Sequence, residues 1–414
     1  MSLAPIRERT RSPLHTNRSR RLGYLTTVID RIACVESFAL KILRDEPYLG
    51  PLEEGNIPNE TGCFIRPRNK TVYSIHDHCV IVRVTTESGA VGWGECVAVV
   101  TPHTVTTIID ELLGPLVVGR DPNDVAAIYD DHYDAMRVRG FFGGFYHDAI
   151  AAIDIALWDL RGQLTGLPLA SLLGARRTDL LPVYVSGLPG ATRDERAELG
   201  RSWIDEGFTA VKFAAAVSDE GEEAEIIAIR EAVGPGTEIL VDLHWRFTAP
   251  EAIKLIHRIE PYDVALVEAP VAPEDTEGLA QVARSIRTSV ATGEEYRTVY
   301  EYRPRFVARC MDVIQPEMGR TGVTSFMKIC AMAEAFHCRV MPHASIGIGI
   351  YQAASLHASA AVATFAMHEY QHSITKKNKA YIDGELTCEA GFFRLPEGPG
   401  LGVKPNDKAL EQAY

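Results

Sequence analysis

The chain has 414 residues, 46% of them apolar and 23% charged. That is the composition of a globular protein long enough for two or three domains, and it excludes a wholly disordered, collagen-like or coiled-coil chain. No run approaches the roughly 18 apolar residues that a membrane-spanning helix needs. With 42 basic against 55 acidic residues and a net charge of −13, a general nucleic-acid binder is not expected. If such an acidic chain handles an anion, it needs a local positive centre.

Residues 1–26 are rich in arginine and serine without apolar periodicity and read as a solvated tail. Strands follow up to about residue 100: Val80–Val84, a turn at Glu87-Ser88-Gly89, and Val91-Gly92-Trp93-Gly94-Glu95. The Pro/Gly/Asn-rich stretch Glu46–Pro67 is long for a connection, the mark of a lid or a disordered loop. Helices come next. One opens at Thr101-Pro102; another lies within His147–Leu164, where Ile150, Ile153, Leu157 and Leu160 recur at helical spacing.

From about residue 182 short apolar strands alternate with helical stretches: Pro182–Ser186, Ala210–Phe213, Glu238–Val241, Val264–Val267, Ser289–Thr292, Val313–Gln315 and Arg339–Met341. Repeated βα order implies parallel strands with crossover helices, and seven or eight such units predict a closed barrel. No Gly-x-Gly-x-x-Gly follows the first of these strands, which disfavours a dinucleotide fold. Residues 383–414 return to strand-and-turn texture and are expected to pack on the N-terminal region. The eight cysteines stand singly with no Cys-x-x-Cys pair, which removes zinc-ribbon and redox-pair readings. With no signal-peptide pattern, a reduced, cytoplasmic enzyme is expected.

One ionisable residue stands at or just after each strand end: Lys212, Asp242, Glu268, Glu294, Glu317, His343 and Glu369, those from 242 onward at intervals of 23 to 26 residues. A barrel unit repeats at about this period, and all strand ends share the face where barrel active sites lie. Asp242, Glu268 and Glu294 thus form three carboxylates around one point. Each alone would suit a helix cap, but three in succession cannot stay ionised together without a cation. Oxygen-only ligands select a hard metal, and Mg²⁺ suits a cage completed by water and substrate. His343 is a candidate base, with Glu317 one strand earlier placed to accept from its ring. Strand alternation sets His244 beside Asp242 as a second acid/base group. Arg246 continues that alternation as a candidate substrate cation, although a solvated loop arginine is the commoner case. Lys212 is a candidate partner for a substrate carboxylate.

These residues resemble the enolase superfamily, mandelate racemase/muconate lactonizing subgroup, from about residue 27 to 404. The motifs are Val91–Glu95, Ala152-Ile153-Asp154-Ile155-Ala156-Leu157-Trp158-Asp159, Val267-Glu268-Ala269-Pro270, Gly293-Glu294, Gln315-Pro316-Glu317 and Gly398-Pro399-Gly400-Leu401-Gly402. The resemblance implies an α+β capping domain (27–160 with 383–414) over a modified TIM barrel, (β/α)7β, at 161–382. It also implies Mg²⁺ and an enediolate formed by removing the proton α to a carboxylate. The subgroup's racemases carry Lys-x-Lys on the second barrel strand, where this chain has Lys212-Phe213-Ala214. Asp242-Leu243-His244 instead resembles galactonate dehydratase-type enzymes.

That resemblance implies a sugar-acid dehydratase acting on an aldonate such as galactonate, or an aldarate, and giving a 2-keto-3-deoxy acid. His343 would take the C2 proton, His244 would assist loss of the 3-hydroxyl, and Lys212 and Glu369 would lie at the carboxylate. An assembly of identical subunits, dimer to octamer, is also implied. Two departures stand out: Glu317 replaces the usual aspartate of the dyad, with a shorter loop after it, and Ala269 replaces the second acid of a common Glu-Glu-Pro motif. The competing readings are a racemase, epimerase or cycloisomerase on the same scaffold, and a barrel kept only for binding.

Overall fold

The computed structural model describes residues 30–218 and 220–414; the tail expected over 1–26 lies outside the described residues. The N-terminal region is a three-stranded antiparallel sheet in the order β1 (Ile32–Leu43), β2 (His76–Thr86), β3 (Val91–Val97). Helices α1 (Val125–Arg137) and α2 (Gly144–Thr165) cover it. Among the described residues no helix is long and apolar enough to cross a membrane.

The barrel strands are β4 (Leu180–Ser186), β5 (Ala210–Ala214), β6 (Glu238–Asp242), β7 (Val264–Glu268), β8 (Ser289–Thr292), β9 (Val313–Ile314), β10 (Arg339–Val340) and β11 (His368–Gln371). Neighbours pair in parallel from β4 to β10, and β11 pairs β4. A parallel bridge from Val340 to Phe365 joins the remaining seam. Seven helices cross between these strands: α3 (Arg193–Asp205), α4 (Glu222–Val233), α5 (Ala249–Ile259), α6 (Thr276–Ser285), α7 (Val299–Ala308), α8 (Met318–Ala335) and α9 (Ile350–Ala361). Their apolar faces meet the outer strand faces in one continuous core. The strand-by-strand expectation from about residue 182 therefore gives the (β/α)7β barrel.

The motifs at 91–95 and 152–159 earn their residue types where the two regions meet. Gly92 and Gly94 lie against α2 so closely that a methyl group would overlap the carbonyl oxygens of Ala156 and Ala152. Asp159 is buried and accepts from Trp93 N (2.8 Å) and Leu401 N (2.9 Å), tying strand, helix and C-terminal segment together. Asp154 accepts from Thr324 N (2.9 Å) and Thr324 Oγ1 (2.6 Å), fastening α2 to α8. Glu95 accepts from Ile348 N (2.6 Å), Ile350 N (2.8 Å) and Tyr351 N (3.1 Å), which satisfies donors left open at the start of α9.

Residues 383–414 divide rather than returning as one piece. Phe392–Arg394 adds antiparallel to β4, whose first residues offer a free edge, and Cys388–Glu389 pairs with it. Only the extreme end reaches β1, through the Leu40–Ala413 bridge.

Because the clash at Gly94 is with backbone, which cannot move aside, Gly94→Ala should cost about 3 kcal/mol or more. Thermal unfolding checks this; an unchanged midpoint would mean that α2 does not need this close approach.

Candidate active site

The barrel interior is filled by one apolar layer: Tyr184, Ala210, Leu240, Leu266, Ala291, Val313 and Met341. Two residues further along a strand the side chain points inward again. At those positions stand Ser186, Lys212, Asp242, Glu268, Gln315 and His343, with Glu369 two beyond Met367. On β8 the corresponding residue is Gly293, at φ 139°, where a methyl group would overlap the Tyr302 hydroxyl. The chain turns there and presents Glu294. The change from apolar to ionisable is thus a change of layer, at the C-terminal mouth of the barrel.

These groups are buried and tightly paired. Lys212 Nζ lies 3.0 Å from Glu268 Oε2 and 2.9 Å from Glu369 Oε1. Gln315 Nε2 donates to the same Glu268 oxygen at 2.6 Å. His343 Nδ1 is 2.7 Å from Glu317 Oε2, while its Nε2 is 2.5 Å from Glu294 Oε2 and 3.5 Å from Glu369 Oε2. Glu317 is fully buried; its other oxygen accepts from Gly319 N (3.3 Å), so the acid is fixed from the start of α8. Glu369 Oε2 accepts from Ala344 N at 2.8 Å. His244 Nδ1 is 3.2 Å from the Asp242 carbonyl and carboxylate oxygens, and its backbone N–H donates to Asp242 Oδ1 at 2.9 Å.

A cavity of about 260 Å³ opens over this layer. Lys212, Asp242, His244, Glu294, His343 and Glu369 line it, with Ala214 where a racemase would carry its second lysine. Glu268 and Glu317 stand behind, touching Lys212 and His343. Arg246 is a correction. Its guanidinium is held by Glu222 (2.7 Å) and the Ala215 carbonyl (3.1 Å), and it does not line the cavity. Alternation fails because His244 and Trp245 adopt left-handed backbone, φ 51° and 54°, so the chain turns out of strand geometry before residue 246. Sequence reasoning missed Gln315, Ser186 and Arg320. The first two carry the signal of lying two residues past an inward apolar residue; Arg320 sits in the first turn of α8, just after Glu317. The roof comes from the N-terminal region: Tyr48, Leu49, Thr71, Val72, Tyr73 and Val99.

Burial pushes the Asp242 carboxyl well up, and repulsion from Glu268 adds to it. Burial also raises Glu268, against the pull of Lys212. Glu294 differs from these two: burial pushes it up, but His343, Arg320 and Lys212 together hold it down. Lys212, despite burial, is held above the ordinary lysine value by Glu268 and Glu369. His343 is likewise raised against burial by Glu294 and Glu369, whereas burial pulls His244 down to about 4.

As the side chains stand, no three His, Cys, Asp or Glu groups among the described residues are drawn into a ready cage; Glu268 is engaged by Lys212 and Glu294 by His343. The donor chemistry still fits a hard divalent cation. Asp242, Glu268 and Glu294 offer only oxygens, and they repel one another at the one place where an ion would remove the repulsion.

Since Arg246 is engaged by Glu222 and the Ala215 carbonyl and does not line the cavity, Arg246→Met should leave KM for an acid substrate within about twofold of the parent. Steady-state kinetics tests this, and a tenfold rise would return Arg246 to the site.

Comparison with known proteins identifies the family and the fold. Residues 61–174 match the mandelate racemase/muconate lactonizing enzyme N-terminal domain, and residues 195–409 match the enolase C-terminal domain-like family. The chain is 32% identical over 350 residues to D-gluconate dehydratase of Thermoproteus tenax, covering 81% of this chain and 69% of that protein. It is 30% identical to D-galactarolactone cycloisomerase of Agrobacterium fabrum (80% and 90% covered) and to D-galactonate dehydratase of Ralstonia pickettii (80% and 90%). A solved structure of an enolase-superfamily member from Agrobacterium tumefaciens superposes with a TM-score of 0.90 at 46% identity, covering 93% of this chain and 99% of that one. Fold, motifs and these matches together place the chain in the mandelate racemase/muconate lactonizing enzyme family of the enolase superfamily.

Proposed function

We propose that this protein is a Mg²⁺-dependent dehydratase of a sugar acid, an aldonate such as galactonate or an aldarate, giving a 2-keto-3-deoxy acid. The observation that carries the reading is the convergence at one barrel mouth of three carboxylates, a histidine backed by a buried carboxylate, and a second histidine on another strand, with Glu268 just behind the cavity that the others line. Relatives named as sugar-acid dehydratases support it. Asp242, Glu268 and Glu294 would hold the ion, which when bound supplies positive charge to stabilise the substrate carboxylate as negative charge grows on it.

His343, in its neutral form and with Nε2 released from Glu294, removes the C2 proton through that atom; the carboxylates that now raise it must first be drawn off or neutralised. Its Nδ1–H donates to Glu317, which fixes the ring and stabilises the imidazolium that results. The electron pair from C2 moves into the carboxylate, and on its return the C3–O bond breaks. His244 delivers a proton to the departing hydroxyl, which leaves as water, and the enol becomes the ketone. His343 thus gains one proton and His244 loses one. Burial alone disfavours a protonated His244, but an anionic substrate beside the ring pushes the other way. Lys212, clamped between Glu268 and Glu369, presents its remaining hydrogen toward the carboxylate.

A second reading is proton transfer without water loss, supported by the relative named as a cycloisomerase. Against a racemase of the two-lysine kind stands Ala214, which lines the cavity with only a methyl group.

Turnover of a panel of aldonates and aldarates, followed as keto-acid formation, tests the reading. It should disappear with a chelator and return with Mg²⁺; activity indifferent to the metal would end it. In deuterated water His343→Asn should abolish exchange at C2, a loss of about 10²-fold or more. His244→Asn should keep exchange and stop elimination. Exchange without dehydration in the parent enzyme would favour the isomerase reading.

A further inference from the structure

The stretch Glu46–Pro67 has little regular structure until Cys63–Ile65, which pairs with Val72–Ser74 as a short hairpin. Arg66, the first residue of the hairpin turn, is 1% exposed. Its Nη2 donates to the carbonyls of Tyr48 (2.6 Å) and Gly50 (2.7 Å), and its Nη1 to that of Pro51 (2.9 Å). Among the described residues the carboxylate paired with it is half-exposed Glu53, 3.3 Å away. A buried guanidinium is costly where its donors are unmet; the two Nη groups are met chiefly by the backbone of one short segment, while Nε has no hydrogen-bond partner among the described residues.

That segment is strained. Leu49 has φ 69° and Gly50 φ 100°. A leucine in left-handed backbone persists only where its surroundings fix it. Two of the three carbonyls taken by Arg66 flank Leu49. Tyr48 and Leu49 in turn form part of the roof over the catalytic layer. The Tyr48 hydroxyl accepts from Gln371 Nε2 on the last barrel strand at 3.2 Å. A second cavity, of about 290 Å³, lies on the other side, and its walls share Tyr48, Leu49, Gly187 and Gln371 with the first. The Tyr48–Gln371 bond therefore acts as a partition that sets how far the catalytic cavity extends.

We infer that Arg66 is a positioning residue: by holding residues 48–51 it fixes Tyr48 and Leu49 as the wall met by the end of the substrate remote from its carboxylate, and so sets which acids fit. This rests on reading the cavity as the substrate site. Arg66 touches no reacting atom, so its loss should weaken binding and selectivity while leaving the chemical step intact.

The test uses the full-length enzyme and the variants Arg66→Met, Arg66→Lys and Tyr48→Phe. In Arg66→Met, KM for the best acid should rise about tenfold with kcat within about threefold, and discrimination between short and long acids should narrow. A glutamate-specific protease should cut at Glu53, Glu54 or Glu60 about tenfold faster than in the parent. Arg66→Lys keeps the charge but not the planar fork, and should behave like Arg66→Met. Tyr48→Phe removes only the bond to Gln371; it should raise KM about threefold with cleavage unchanged. Full rescue by lysine, an unchanged KM in both Arg66→Met and Tyr48→Phe, or a fall in kcat with KM intact would overturn the inference. Cleavage needs no turnover. Faster cutting of Arg66→Met in an enzyme that dehydrates no acid would therefore sink the proposed reaction and leave the clamp standing.

Discussion

Like charges brought together out of water govern this molecule. Asp242, Glu268, Glu294, Glu317 and Glu369 meet at one barrel mouth, where Lys212 and His343 are the buried groups that pair with them. Each cation is shared: Lys212 bridges Glu268 and Glu369, and His343 joins Glu294 to Glu317. Burial first, and the remaining repulsion after it, push the Asp242 and Glu268 carboxyls upward. A divalent cation is the species that would relieve that repulsion, and the same excess of acid explains how a chain of net charge −13 could concentrate positive charge where an anionic substrate reacts.

The protein uses buried carboxylates in a second, opposite way. Glu95, Asp154 and Asp159 do not face one another; each is surrounded by backbone N–H groups. Hydrogen bonds to a carboxylate are stronger than neutral ones, so three side chains can fix the capping sheet, α2, α8, α9 and the C-terminal segment in one arrangement. That rigidity lets residues from the N-terminal region form an accurate roof over a site whose chemistry belongs to the barrel. Arg66 extends the logic with reversed sign, a buried cation whose Nη groups donate to carbonyl groups.

Much of this was legible in the chain. The βα alternation from about residue 182 identified the barrel because parallel strands need crossover helices, and the spacing of Asp242, Glu268 and Glu294 matched one barrel unit. Proximity of Glu317 to His343 followed from the same repeat. Arg246 was misplaced because alternation holds only while the backbone stays extended, and the left-handed residues at 244 and 245 end it. Residues 383–414 divided because closure of the barrel leaves only the first residues of β4, Leu180–Pro182, open to pair with Phe392–Arg394.

The sequence by itself determined the barrel, the ionisable group at each strand end and the oxygen-only donor set, since these depend on local periodicity and on a repeat length that topology converts into adjacency. Only the tertiary structure decided which oxygen of Glu268 is taken by Lys212 and Gln315, where Arg246 points, and how Arg66 seats Tyr48 over the cavity. Those contacts join segments many residues apart through backbone turns and carbonyl groups, which leave no periodic mark on the chain.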